Sequence, residues 1–277
     1  SIHTFLNMKG FNIIALFTLC NLLFSENINE QIINDNPESI SLMDTSGLDP
    51  KLMLFLNKFY QKNYVDDTNL KKIKSIQFVG TYYVNGEEVG TVKIIKKRPN
   101  KYKSYIKKYD DTETIIIFDG QTLKSKDTTG TDPTIQWQTL DVTARENLWI
   151  HFEQIFDSVL LSPKDPNKTF SLGIPFKEDD QVHQAITVEL KNKIKTTHFI
   201  PIRDNLIKKT LIEFNDPEDS HYNSYTIYFE DYESINDIMF AKKIRTQVDE
   251  DHSVAIEVTS IEFNLGISDF FFKAVTF

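Results

Sequence analysis

The chain has 277 residues, 31 Lys+Arg against 40 Asp+Glu for a net charge of -9, and 12% aromatic residues including 21 Phe and 11 Tyr. That charge repels phosphate backbones and anionic headgroups at long range, which argues against nucleic acid as a partner. So many rings exclude a disordered chain and call for a buried core of the size one β-rich domain provides.

A start at Met8 would place Lys9 ahead of an apolar run from Phe11 to Phe24, interrupted by Asn12, Thr18, Cys20 and Asn21. This is the pattern of an export signal, and it is short for a membrane span. Residues 1–25 are therefore expected to be a signal peptide, cleaved after the small Ser25 to leave Glu26 first. Lipidation at Cys20 is the alternative, disfavoured by the bulky Leu19 before it; an uncleaved signal anchor is another. Cleavage after Ser25 leaves no cysteine, which removes disulfides, thiol catalysis and thiolate metal sites. Residues 26–47 are polar and aperiodic and are expected to form a flexible tether, so the folded domain spans 48–277.

Asp49-Pro50 supplies a cap and a first helical residue, and Leu52, Leu54, Phe55, Phe59 and Tyr60 recur at helical spacing. This predicts a helix from Pro50 to about Asn63. From Ser75 onward short β-branched and aromatic runs follow, bounded by Gly, Asn or Asp. Strands are predicted over Ser75–Val84, Val89–Lys97, Lys101–Lys108, Glu113–Phe118 and Thr122–Lys126, with Asn85-Gly86 as a hairpin turn. A second helix is predicted between Thr143 and Leu161, where Leu148, Trp149, Phe152, Ile155, Phe156, Val159 and Leu160 form one broad apolar stripe. The plain reading of that stripe is simple core packing. Residues 162–180, with three prolines and Gly173, read as a loop or cover segment. Strands resume at Val182–Lys191, Lys195–Ile202, Leu206–Asn215, Tyr222–Tyr232, Lys242–Val248 and Ser253–Phe263. About eleven antiparallel strands with helices on one face describe an α+β, mostly β fold.

Motifs that would carry catalysis are missing. No histidine pair has the spacing of a zinc site, and His151 beside Trp149 and Phe152 reads as a helix-surface or core histidine. Ser104 and Lys107 form an S-x-x-K string, but on a strand they face opposite sides. The carboxylates at Asp110-Asp111, 178–180, 216–219 and 249–251 fall between strands, where Asp serves turns. No cofactor or metal is expected, and binding is favoured over catalysis; a hydrolase with a scattered active site is the least favoured reading.

Several local signatures occur in a suggestive order. Lys97-Arg98-Pro99-Asn100-Lys101-Tyr102 opens a strand. One strand later comes the turn Phe118-Asp119-Gly120-Gln121-Thr122-Leu123. Tyr228 to Ile244 reads as strand, turn and strand, and Ser260 to Phe272 ends in Asn, a small turn and Asp-x-x-Phe. Together these resemble the outer-membrane lipoprotein carrier family, the LolA-like proteins. The resemblance implies a curved antiparallel half-barrel of about eleven strands with helices packed in its concave face, and an apolar cavity for the acyl chains of lipoproteins or lipids. It further implies a periplasmic carrier, expected to be a monomer, served by inner-membrane donor and outer-membrane acceptor proteins. Arg98 matches the family's arginine that hydrogen-bonds carbonyls of the helical lid. With Leu148, Trp149, Phe152, Ile155 and Phe156 as lid or ligand-binding residues, it completes the expected site; a surface arginine at a strand edge is the plainer reading. An envelope interaction or sensor module of the same fold is the alternative function.

Overall fold

The computed structural model describes residues 41–129, 136–139, 158–190, 194–214, 224–247 and 249–274. Helix α1, Pro50–Asn63, has the predicted bounds; the Asp49 carboxylate accepts from the amides of Lys51 at 2.9 Å and Leu52 at 3.2 Å, satisfying donors the first helical turn leaves orphaned. A second helix, α2, Asp67–Lys72, was not predicted; Asp66 caps it, and Lys71 pairs with Asp67 at 3.0 Å. Six residues are too few for a hydrophobic period to declare itself.

Fourteen strands are described: β1 Ser75–Val84, β2 Glu87–Lys97, β3 Lys101–Lys108, β4 Thr112–Phe118, β5 Leu123–Thr129, β6 Gln138–Thr139, β7 Lys168–Leu172, β8 Phe176–Glu178, β9 Gln181–Leu190, β10 Ile194–Pro201, β11 Lys209–Phe214, β12 Ser224–Ile235, β13 Ile238–Gln247 and β14 Ser253–Phe263. They form one antiparallel sheet in the order β6-β5-β4-β3-β2-β1-β14-β13-β12-β11-β10-β9-β7, with β8 also on β9. Its two ends do not pair, so the sheet is an open half-barrel. The three strands beyond the expected eleven are the short β6, β7 and β8. The last two lie in the stretch expected to be a loop, where Phe170 and Leu172 alternate inward against β9 despite the flanking prolines.

Two irregularities bend the sheet. Val79 faces Ser260 while Gly80 faces Val258, leaving Thr259 extra; Tyr82 faces Gly90 while Tyr83 faces Glu88, leaving Val89 extra. Such bulges tighten local twist and curve a sheet. At the second, a Cβ on Gly90 would collide with the Lys107 carbonyl, so the close approach of β2 and β3 requires glycine there.

Inward positions of the strands meet α1 in one core that includes Leu56, Phe59, Leu70, Ile76, Tyr82, Ile186, Ile212 and Ile227. The packed chain reaches back to Ser41, inside the expected tether: the Leu42 amide donates to Asp67 at 3.2 Å, and Leu42 and Met43 lie on the core. Of the predicted helix over Thr143–Leu161, Ser158–Leu161 fall within the described residues and form a turn, with Val159 and Leu160 fully buried. A smaller cluster lies on the outer face. There Ile95 and Ile117 are covered by Phe272, which ends a strap running from Asn264 through a 3-10 turn, Asp269–Phe272.

The two N-terminal signatures prove to be one contact. Pairing of Tyr102 with Phe118 sets Asn100 opposite Gly120, and the Asn100 amide donates to the Gly120 carbonyl at 3.3 Å. Asp119 accepts from the amides of Gln121 and Thr122, which shapes the turn, and Gly120 sits at φ +102 with Asn100 Oδ1 2.7 Å from where a Cβ would stand. Gly120→Ala is expected to destabilise by about 1–2 kcal/mol, read as a shifted denaturant midpoint with unchanged slope. The Asp-x-x-Phe end has a similar logic: Asn264, at φ 54, accepts from the Lys74 amide at 2.7 Å and donates its own amide to Ser75 at 2.9 Å, turning the chain out of β14 and over the outer face.

Candidate functional site: an apolar cavity beneath the first helix

Phe59 and Asn63 of α1, with Tyr64 just past its end, face Ile76, Phe78, Ile212, Phe229, Phe240 and Val258 across a cavity of about 70 Å³. Each sheet residue here sits at an inward position fixed by the two-residue period of its strand. The rings of Phe59 stand edge-on to Tyr60 and Tyr64, at 5.9 and 6.1 Å between centres, so the roof of the cavity is one aromatic cluster.

Polar atoms in the surrounding wall are already engaged. The Asn63 amide donates to the carbonyls of Phe59 and Asn205, both at 2.8 Å, and Tyr232 donates to Ile207 at 2.7 Å. Tyr60 donates to the Leu160 carbonyl, which ties α1 to the turn at 158–161. Burial raises the pKa of both tyrosines above the ordinary phenol value, keeping them neutral donors.

Thr196, His198 and Thr210 form the most polar part of the wall. His198 Nε2 lies 3.1 Å from the Thr196 hydroxyl and Nδ1 3.0 Å from the Thr210 hydroxyl. Burial pushes its pKa down to about 3, so the ring is neutral around pH 7 and both nitrogens are occupied, an arrangement suited to bracing β10 against β11 rather than moving protons. Histidine spacing along the chain, which speaks only to zinc sites, does not reveal this role of His198. The signal for its actual place was a polar triplet at inward positions of two neighbouring strands, and that needs the register of β10 on β11, His198 opposite Thr210.

Arg98 does hydrogen-bond helix-end carbonyls. Its guanidinium donates to Leu70 at 2.9 Å and Ile73 at 2.7 Å, at the C-terminal end of α2, while its amide donates to Lys74 at 2.9 Å. The residue thus fastens the β2–β3 turn to α2, whose Leu70 is wholly buried in the core. The other expected site residues, Leu148, Trp149, Phe152, Ile155 and Phe156, lie outside the described residues. On the same concave side, the buried Lys96 ammonium lies 6.0 Å from the centre of the Tyr102 ring.

Ser104 is buried and Lys107 exposed on opposite faces of β3, so they form no pair. Asp110 and Asp249 accept from backbone amides two residues on, as turn-forming carboxylates do. Among the described residues no group of three His, Cys, Asp or Glu could hold a metal ion, and no helix is long and apolar enough to cross a membrane.

No protein-family model and no curated protein matches the chain in sequence. Solved structures match it in fold. A LolA-superfamily protein from Nitrosomonas europaea superposes with a TM-score of 0.51 at 10% identity, covering 80% of this chain and 97% of that one. A putative outer membrane lipoprotein-sorting protein domain from Vibrio parahaemolyticus gives 0.48 at 9% identity, covering 79% and 94%. A DUF1329 family protein from Desulfovibrio piger gives 0.47 at 13% identity, covering 74% and 92%. At such identities the likeness concerns the fold.

Proposed function

We propose that this LolA-like half-barrel is an exported, periplasmic carrier that takes the acyl chains of lipids or lipoproteins between α1 and the concave sheet. The observation that carries the reading is the cavity: its walls are mostly apolar, and the polar side chains in them, Asn63, His198 and Tyr232 among them, are hydrogen-bonded within the protein, so apolar matter can enter without stranding these groups. Each methylene moved from water contributes about 0.8 kcal/mol, so a chain of roughly sixteen carbons offers on the order of 10 kcal/mol before ordering costs.

At about 70 Å³ the cavity is far below the roughly 300–1,000 Å³ of an occupied ligand pocket. Uptake therefore requires the helical side to move away from the sheet, and Arg98 holds one end of it. Arg98→Leu is expected to lower stability by about 1–3 kcal/mol, because the Leu70 and Ile73 carbonyls lose their donor, and to speed uptake of a hydrophobic dye several-fold. Unchanged uptake kinetics would remove the latch role.

The same small volume favours a second reading, an interaction module whose concave face is filled by its own side chains. Mass spectrometry of protein isolated from its native envelope under non-denaturing conditions separates the two. Acylated cargo bound to the chain supports the carrier; an empty protein that also fails to bind dye saturably supports the module.

A further inference from the structure

The outward positions of β2 to β5 form a face unlike the rest of this acidic chain. Strand alternation places Lys93 on β2, Lys103 and Lys107 on β3, and Lys124 and Lys126 on β5 on the outer face of the sheet. Register sets them side by side: Lys93 faces Tyr105, Lys103 faces Ile117, and Ile117 and Ile115 face Lys124 and Lys126. Among the described residues Glu113 is the one carboxylate on these outward positions from Thr91 onward, 3.7 Å from Lys107. Lys93, Lys124 and Lys126 have no carboxylate partner there.

The strap adds an apolar element to this face. Lys97 pairs with Asp269 at 2.6 Å, and Lys101 pairs with the same carboxylate. The Lys103 ammonium donates to the Phe271 carbonyl at 3.0 Å and lies 4.1 Å from the centre of the Phe271 ring. Between these anchors Phe270 projects outward, 64% exposed, held there while Phe272 is buried beneath.

We propose that this face docks on an anionic lipid surface, the lysines meeting headgroup phosphates while Phe270 enters the interface. Two features favour lipid over an acidic protein. The cations are lysines, compact point charges spread over three strands, β2, β3 and β5, rather than gathered in a groove, and an aromatic ring protrudes among them, the pairing found where proteins lie against membranes. The net charge of -9 repels such a surface everywhere else, so the patch also sets the orientation.

The test is flotation of the purified protein with phosphatidylglycerol and with phosphatidylcholine vesicles, reading the excess bound to the anionic ones. An apolar N-terminal segment would add equally to both. The excess is expected to vanish at high salt, and to weaken on the order of a hundredfold in the triple variant Lys93→Glu, Lys124→Glu, Lys126→Glu, at about fivefold per lysine. Phe270→Ser is expected to weaken it several-fold. All four positions lie on the outer face, so thermal unfolding and dye uptake should match the wild type, which keeps this result separable from the carrier reading. No excess on anionic vesicles, a triple variant that floats like the wild type, or capture of an acidic protein without vesicle binding would each overturn the proposal.

Discussion

Phe59→Ala is expected to destabilise the protein by about 3–5 kcal/mol, the range for emptying a fully buried aromatic site. Phe59 is 1% exposed, closes the roof of the cavity and holds Tyr60 and Tyr64 edge-on. Its removal joins the vacated space to the existing cavity, and an enlarged apolar void binds small apolar molecules. Benzene should therefore raise the melting temperature of the variant more than that of the wild type. Calorimetry with and without benzene checks both halves. A loss below about 1 kcal/mol would mean that α1 does not seal the sheet as described.

Acidification from pH 6.5 to 5 is expected to weaken the fold by about 2 kcal/mol through His198 alone. Its folded pKa, near 3, lies below the ordinary 6.5 of the unfolded chain. Between those values the unfolded state binds the extra proton, so the contribution is whole above pH 6.5 and is lost progressively down to about pH 3. The upper part of the window isolates the histidine: Asp44 and Asp269, held near 2 by their hydrogen bonds to Lys164 and to Lys101 and Lys97, release their lysines only at much lower pH. Denaturant titrations across pH 5–7 should show this slope in the wild type and a flatter one in His198→Gln, whatever the absolute stability of the variant.

Much of the sheet was legible because alternation survives where one face of a strand is buried. β1, β3 and β14 have the predicted bounds, and α1 was marked by its cap, its proline and its apolar spacing. β7 and β8 were hidden because they are only five and three residues long and lie among prolines and Gly173, which are turn signals in sequence. Arg98 was found through its neighbours in a motif, but the helix it fastens, α2, was too short and polar to be seen. Asn100 and Gly120 were legible as two separate signatures; only register turned them into one contact. The Thr196–His198–Thr210 triplet was the least legible, since its members meet across strands rather than along one.

The strand order also bears on how the chain can acquire its structure. β1, near the front of the folded region, sits mid-sheet, and there it pairs with β14, Ile76 opposite Phe263. The hairpins on either side are local and can form early, but no strand pairing joins the two wings of the sheet until the final strand arrives. A nascent chain on the ribosome therefore cannot complete its core before Phe263 has emerged, and closing so long a loop makes the step slow. Until then the edges of β1 and β13 stay open, with backbone donors and acceptors free to pair with another chain.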